Sequence, residues 1–508
     1  MAICVFQENN GKRSDVLNLV FIVALIEILD ITIHFFCFYK MGTKLLRHIS
    51  ALGISVYLVA LILISVLFRG QAMQPKWMIW GVGEVLFFFL LSWVFYSSWK
   101  KDDSKRFTRK VFFTALGIRG VYVVMMCFYF HHQTGIPFEY DAADSIGYHK
   151  VAVYLSKCLE GGHFKYVCRY LNYFTMGFSD QCYTLWLVLV YSVFGPNVLT
   201  PRIFKALMSA YMCVAIYKLG TRTIGVRTGK LAAVLSVFMP TLIHICGLHL
   251  KECEMIFLAV LAIERMDYVV RTKKYTIWNI AFPIILTALT FGFRTIIGMA
   301  LIFAFIVFIV VSDGLVNKRT KIVAVSAVSV VFLVFLFSPV GHEMRNVYRL
   351  KFSDNDYNEE KYENLGMNHS NLAKNIYMAP GAFVLPLSSM VEVANDNQKL
   401  MNGSIYLKNL LAYFAMLAIV IAFRDKKWRN FSLIGAYELA YLFMIMFSFA
   451  ANSERFHEPA IPLILLMAAY GMTKLKRKEL RGYYVYCVLL VIALVGWNWI
   501  KLSARNLG

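Results

Sequence analysis

The chain alternates long apolar runs with short polar connections, most of them basic. Runs such as Leu52–Phe68, Val111–Phe130, Leu231–Cys246, Ile322–Pro339 and Tyr484–Ile500 approach or reach the ~20 residues that a helix needs to cross a bilayer. By length and hydropathy there are about fourteen such segments. The ~10-residue alternating stretches of a β-barrel are not seen. The pattern predicts an all-α, polytopic transmembrane bundle of about 12–14 helices with extracytoplasmic loops and juxtamembrane helices. Residues 1–110 read as an N-terminal membrane module of about three helices. Residues 111–475 read as the core, with external loops 131–202 and 340–402, and 476–508 as a C-terminal helix and tail. The apolar stretch after Lys12 and Arg13 is long and lacks a small-residue cleavage site, so it reads as a retained helix.

Basic clusters set the orientation. The strongest is Lys100, Lys101, Lys105, Arg106, Arg109 and Lys110, which the positive-inside rule assigns to the cytoplasm. The run Tyr183–Phe194 is too short to span comfortably. Read as an interfacial or re-entrant helix on the outer side, it leaves every later basic loop cytoplasmic. Those loops are Lys218/Arg222/Arg227/Lys230, Arg271/Lys273/Lys274, Lys318/Arg319/Lys321, Arg424/Lys426/Lys427/Arg429 and Lys474/Lys476/Arg477/Lys478/Arg481.

Composition sharpens this picture. The 508 residues are 59% hydrophobic and only 16% charged, with a mean hydropathy of +0.60, too little charge for a soluble protein of this length. The net charge of +22 suggests nucleic acid, but the basic residues are spread through short loops instead of pooled in one patch, so no nucleic-acid partner is expected. Ten cysteines include no CxxC pair, so neither a zinc nor a redox motif is supported. Cys158, Cys168 and Cys182 fall in the first external loop, where an oxidising compartment would permit a disulfide. Glu27, Asp30 and His34 share a helical face inside an apolar run, and mutual pairing in the bundle is the favoured reading over function.

Candidate chemistry gathers on the outer side. After Phe130 comes Tyr140-Asp141-Ala142-Ala143-Asp144-Ser145-Ile146-Gly147-Tyr148-His149. Ionisable groups at a bilayer lip are costly and mark a functional site. Asp141 and Asp144 are spaced to share a helical face, and either carboxylate can act as a general base. Tyr148, four residues after Asp144, is placed to orient it or a substrate hydroxyl. Helix capping by Asp144 and Ser145 is the competing reading. Lys251 and Glu252 end an apolar helix, where a lone Lys would normally snorkel to the interface. Arg294 sits between two apolar runs with almost no loop, so its charge seeks an anion or carboxylate. Arg455 and His457 directly precede another apolar helix. Carboxylates and cations together suit transfer of a group from a lipid phosphate. Cations offset charge on the departing phosphate while a carboxylate takes the proton of the attacking hydroxyl.

In this order the elements resemble the C-type membrane glycosyltransferases (GT-C), the superfamily of protein O-mannosyltransferases and lipid A aminoarabinose transferases. The similarity runs over roughly residues 111–475: Asp144-Ser145-Ile146-Gly147-Tyr148 as the acidic Asp-x-x-x-Tyr motif, Leu185–Gly195 as the juxtamembrane segment, and Arg202 to Gly225 as the helix closing on basic residues. The pair Lys251-Glu252 and the Arg455-Phe456-His457-Glu458-Pro459-Ala460-Ile461-Pro462 pattern complete it. The resemblance implies a polyprenyl-phosphate-linked sugar donor, a glycan or lipid acceptor, and an inverting transfer on the extracytoplasmic face of the plasma (inner) membrane. It implies Asp144 as catalytic base, with Asp141 second. Lys251, Arg294 and Arg455 are then expected donor-phosphate contacts, and Tyr148, His149, Glu252 and His457 substrate-binding residues. Many members carry a second acid where this chain has Ser145, so a divalent metal gains no support, and no other cofactor is implied. Two rivals remain at this level: a polysaccharide polymerase using a diphosphate-linked oligosaccharide, and a flippase or transporter, which would place charges near the bilayer midplane.

Overall fold

The computed structural model describes residues 44–174, 180–312, 381–446 and 453–505, with isolated positions between 319 and 337. The run Ile322–Pro339 falls almost wholly outside the described residues, and the set Glu27, Asp30 and His34 entirely so.

Among the described residues the only regular structure is helical. In chain order the helices are α1 (Lys44–Leu67), α2 (Pro75–Trp99), α3 (Ser104–Thr134), α4 (Ala143–Glu160), α5 (Phe164–Phe174), α6 (Gln181–Phe194), α7 (Leu199–Thr223) and α8 (Val226–Phe238). They continue with α9 (Pro240–Gly247), α10 (Glu252–Thr272), α11 (Ile277–Phe293), α12 (Thr295–Val311), α13 (Asn402–Arg424), α14 (Trp428–Met446), α15 (Ile461–Lys474) and α16 (Arg477–Ser503), with the short helix Asp396–Leu400 ahead of α13 and the one-turn helices Glu454–His457 and Glu458–Ala460 ahead of α15. Six of them, α1, α2, α3, α7, α13 and α16, are long and apolar enough to cross a membrane, and α8 with α9 forms a seventh candidate bent by 46°. The chain is a multi-pass helical membrane protein. At 14 residues, α6 is shorter than a span requires. The second helix packs on α8 and α13, and α16 packs back on α1. The first and last described helices therefore share one core with the rest.

The break at the α8–α9 junction follows from Pro240, whose missing N–H leaves the carbonyl of Ser236 unpaired. A fully buried arginine fills the gap. Arg119 of α3 donates to Ser236 O at 3.0 Å, Val237 O at 3.1 Å and Ser209 Oγ at 2.7 Å. Irregular backbone at membrane depth is tolerated when protein satisfies it. Arg119→Leu leaves both carbonyls dry, at about 1–3 kcal/mol each. A thermal melt of the detergent-solubilised variant should show a midpoint several degrees lower, with Arg119→Lys intermediate. An unchanged midpoint would contradict this role.

The non-helical segment 384–395 is held in the same way. Asn409 Nδ2 donates to Pro386 O at 2.8 Å, and Asn498 Oδ1 accepts from Met390 N at 2.7 Å.

Hydrogen bonds between connections define two ends of the bundle. At one end Lys230 donates to Lys100 O, Arg222 pairs with Glu264 and Asp267, Arg271 donates to Asn430 O, Thr228 meets Thr473, and Arg424 pairs with Glu479. The described basic clusters therefore share one end. At the other, Asn397 donates to Tyr140 O, Gln398 to Glu454, and Arg455 to Asp144. That second end carries the candidate site.

Candidate functional site

The polar run after α3 does not continue as helix. Asp141 has φ +53° and its carbonyl accepts from Ala143 N at 2.9 Å, a left-handed turn position that Asp tolerates better than most residues. Helix α4 starts only at Ala143. The expectation that Asp141 and Asp144 share a helical face is thus corrected: Asp141 is an exposed turn residue beside the helix. Capping does not explain Asp144 and Ser145 either. The N-cap position is Ala142, without a side-chain cap bond, and Ser145 Oγ donates to Glu139. Asp144 lies in the first turn of α4, where a carboxylate is favoured by the helix dipole.

Three distant connections meet at Asp144. Arg455 sits in the one-turn helix Glu454–His457 ahead of α15. Its Nη1 donates to Asp144 Oδ2 at 2.7 Å, and its Nε to Glu252 Oε1. Arg294 is the extended residue between α11 and α12 (φ −162°, ψ 114°). Its Nη2 lies 3.7 Å from the same Glu252 oxygen, and its guanidinium stacks 4.3 Å over the Phe456 ring. Arg294 Nη1 is buried without a hydrogen-bond partner among the described residues. Lys251 and Glu252 open α10 instead of ending a helix, a correction that follows from the end of α9 at Gly247 and the non-helical residues 248–250 after it. Snorkelling does not describe Lys251, because it is buried and pairs with Asp180. Tyr148, one turn after Asp144, is buried edge-on to Tyr183 at 5.0 Å. Burial pushes its phenol well above the usual range, and Asp144 adds to the shift.

The electrostatics are balanced but strained. Lys251, Arg294 and Arg455 face Asp144, Glu252 and Asp180. Burial would lower Arg455, but Glu252 and Asp144 outweigh it and hold the guanidinium above its ordinary value. Burial pushes Lys251 down to about 7, with Arg294 and Arg455 acting in the same sense and Glu252 and Asp144 opposing. Burial also raises Glu458, next to this set, well above the carboxylate range, helped by the charge of Glu252. The Asp144 side chain is 57% exposed and that of Glu252 only 1%. Asp144 is the most exposed carboxylate of this cluster, and Arg294 Nη1 the buried donor left without a partner among the described residues.

Two expected site residues go elsewhere. His149 Nδ1 hydrogen-bonds Tyr191 Oη at 2.8 Å, and Tyr191 Oη meets His249 Nε2 at 3.2 Å. Burial, then Arg202, lowers the His149 imidazole, so it is neutral at pH 7. His457 is buried and lines a small internal cavity with Lys408, Glu454, Glu458 and Thr241. Residues that sequence reasoning missed include Tyr183, Asp180, Phe456 and Tyr441, whose hydroxyl donates to Phe456 O at 2.9 Å. Arg202 and Lys205, fully buried within α7, were legible as charges inside an apolar helix. Arg202 lies 3.9 Å from Glu139, and Lys205 lies 3.6 Å from Glu254 while donating to Leu248 O at 3.0 Å.

No group of three or more His, Cys, Asp or Glu side chains placed to hold a metal occurs among the described residues. Cys158, Cys168 and Cys182 are free thiols. No protein-family model matches this sequence, and no curated protein matches it at a significant level.

Proposed function

We propose that this chain is an integral-membrane glycosyltransferase that moves a sugar from a polyprenyl-phosphate donor to a glycan or lipid acceptor. The observation that carries the reading is the Arg455 bridge between an exposed carboxylate, Asp144, and a buried one, Glu252, with Arg294 and Lys251 alongside. The basic end of the bundle is taken as cytoplasmic, which makes the site extracytoplasmic; the host membrane in this reading is the plasma (inner) membrane. Collection of the site charges at one end favours this reading over a transporter.

In the proposed step the donor phosphate takes Arg455 Nη1 from Asp144 and engages Arg294 and Lys251. Bidentate guanidinium contacts suit a phosphate. Freed of its partner, Asp144 accepts the proton of the acceptor hydroxyl as that oxygen bonds to the anomeric carbon. The bond from this carbon to the phosphate oxygen breaks, and polyprenyl phosphate leaves with the electron pair. The cations offset the charge it gains. The test is reconstitution in nanodiscs with polyprenyl-phosphate sugars extracted from the host. Disappearance of one monophosphate-linked sugar with release of polyprenyl phosphate is expected. Consumption of diphosphate-linked oligosaccharide alone would instead identify a polymerase.

A pH dependence follows from Lys251. Its ammonium is present below about 7 and lost above, so affinity for an anionic donor is full on the acid side and falls as pH rises. The pH profile of kcat/KM reports the free enzyme and should decline above about pH 7. Lys251→Arg, always charged, should extend the plateau upward. Identical profiles for both proteins would remove Lys251 from donor binding.

A further inference from the structure

At the basic end, remote from the site, a groove of about 530 Å³ opens between α3 and α7. We propose that it binds the headgroup of an anionic glycerophospholipid, with one acyl chain lying along its apolar inner wall.

The groove is graded. The exposed Lys105 and Arg109 of α3 and Lys218 of α7 form its mouth, while the half-buried Thr108, Phe112 and Tyr211 line it further in. Lys218 Nζ sits over the Tyr211 ring at 5.6 Å. The nearby acids are already committed. Asp102 pairs with Lys110 at 2.7 Å and Arg106 at 3.7 Å, and Asp103 accepts from Lys105 N and Arg106 N as the α3 cap. No ion pair to Lys105, Arg109 or Lys218 occurs among the described residues, so three cations face one opening without a counter-charge.

Depth identifies the ligand. Helix α3 has 31 residues, roughly 46 Å at 1.5 Å per residue, against a hydrocarbon core of about 30 Å. Its apolar stretch, Val111–Phe130, is long enough to fill that core, so residues 104–110 lie at headgroup level and Phe112 one step inside. Phe113, Val121 and Phe128 are exposed on the same helix, which makes α3 a lipid-facing wall. A groove that is cationic at headgroup depth, apolar below and open sideways to lipid matches a phospholipid. A free anion would use only its mouth. The cytoplasmic leaflet is anionic and attracts such clusters.

The test uses the full chain in phosphatidylcholine nanodiscs doped with phosphatidylglycerol, read by native mass spectrometry and thermal melting. Wild type should retain phosphatidylglycerol over phosphatidylcholine and melt higher when it is present. The triple variant Lys105→Gln, Arg109→Gln, Lys218→Gln should bind it roughly a hundredfold more weakly, at about tenfold or less per charge. It should still melt like wild type in pure phosphatidylcholine. The double variant Lys426→Gln, Lys427→Gln, at the same end but outside the groove, should keep the preference. If the triple variant fails to fold, the single Arg109→Gln must show a measurable part of the loss. Retention of the preference by these groove variants, equal loss in the double variant, or an equal melting shift from inorganic phosphate would overturn the proposal.

Discussion

Asp144→Asn should reduce sugar transfer by about 10²–10⁴-fold, the usual contribution of a positioned base. The amide cannot accept the hydroxyl proton, yet it keeps the size of the side chain. Its position is 57% exposed, so the fold has little reason to suffer. The variant should insert and melt like wild type and bind the donor at least as tightly, because no carboxylate competes for Arg455, while leaving the lipid-linked sugar unconsumed. Asp141→Asn, at an exposed turn residue outside α4, should retain most activity. This contrast separates the two carboxylates that the sequence alone could not rank. Equal losses at both positions would contradict the assignment of Asp144.

Arg455→Ala should be nearly as damaging, by a different route. Arg455 is the only described residue that hydrogen-bonds both Asp144 and Glu252. Removing it deletes a donor-phosphate contact and leaves Glu252, 1% exposed, facing Arg294 at 3.7 Å. Loss of one preorganised contact to the developing phosphate charge is expected to lower kcat by roughly a hundredfold or more. Stripping a partner from a buried carboxylate should also lower the melting temperature. Arg455→Lys separates the two effects. Its point charge partners Glu252, restoring most stability, but cannot fork between two carboxylates or chelate a phosphate. Full activity in Arg455→Lys would mean that charge alone suffices and that the bridge has no role in transfer.

Much of the architecture was legible because a bilayer restricts the options. Val111–Phe130 lies within α3, Leu52–Phe68 all but coincides with the end of α1, and Tyr484–Ile500 lies within α16. The brevity of Tyr183–Phe194 also survives in α6. The run Leu231–Cys246 was less transparent. Its hydropathy is continuous, and only Pro240 betrays the 46° bend between α8 and α9.

The site was legible as a set of charges at the ends of apolar runs, not as a geometry. Asp144 and Arg455 are 311 positions apart and Arg455 and Glu252 are 203 apart, so no local pattern announces their contact. Two errors have local causes. Asp141 fails because a left-handed turn residue starts α4 two positions late for a shared face. His149 lies five positions after Asp144, about 140° around the helix, which turns it toward Tyr191 and His249. Tyr148, at four positions, stays beside Asp144.

The most direct measurement of the central claim is mass spectrometry of lipid-linked sugars and surface glycan from a strain lacking this chain, complemented with wild type or Asp144→Asn. The account predicts that a polyprenyl-monophosphate sugar accumulates, that one residue disappears from the glycan, and that only wild type restores it. Accumulation of diphosphate-linked repeat units with no change in the monophosphate pool, or full restoration by Asp144→Asn, would contradict it.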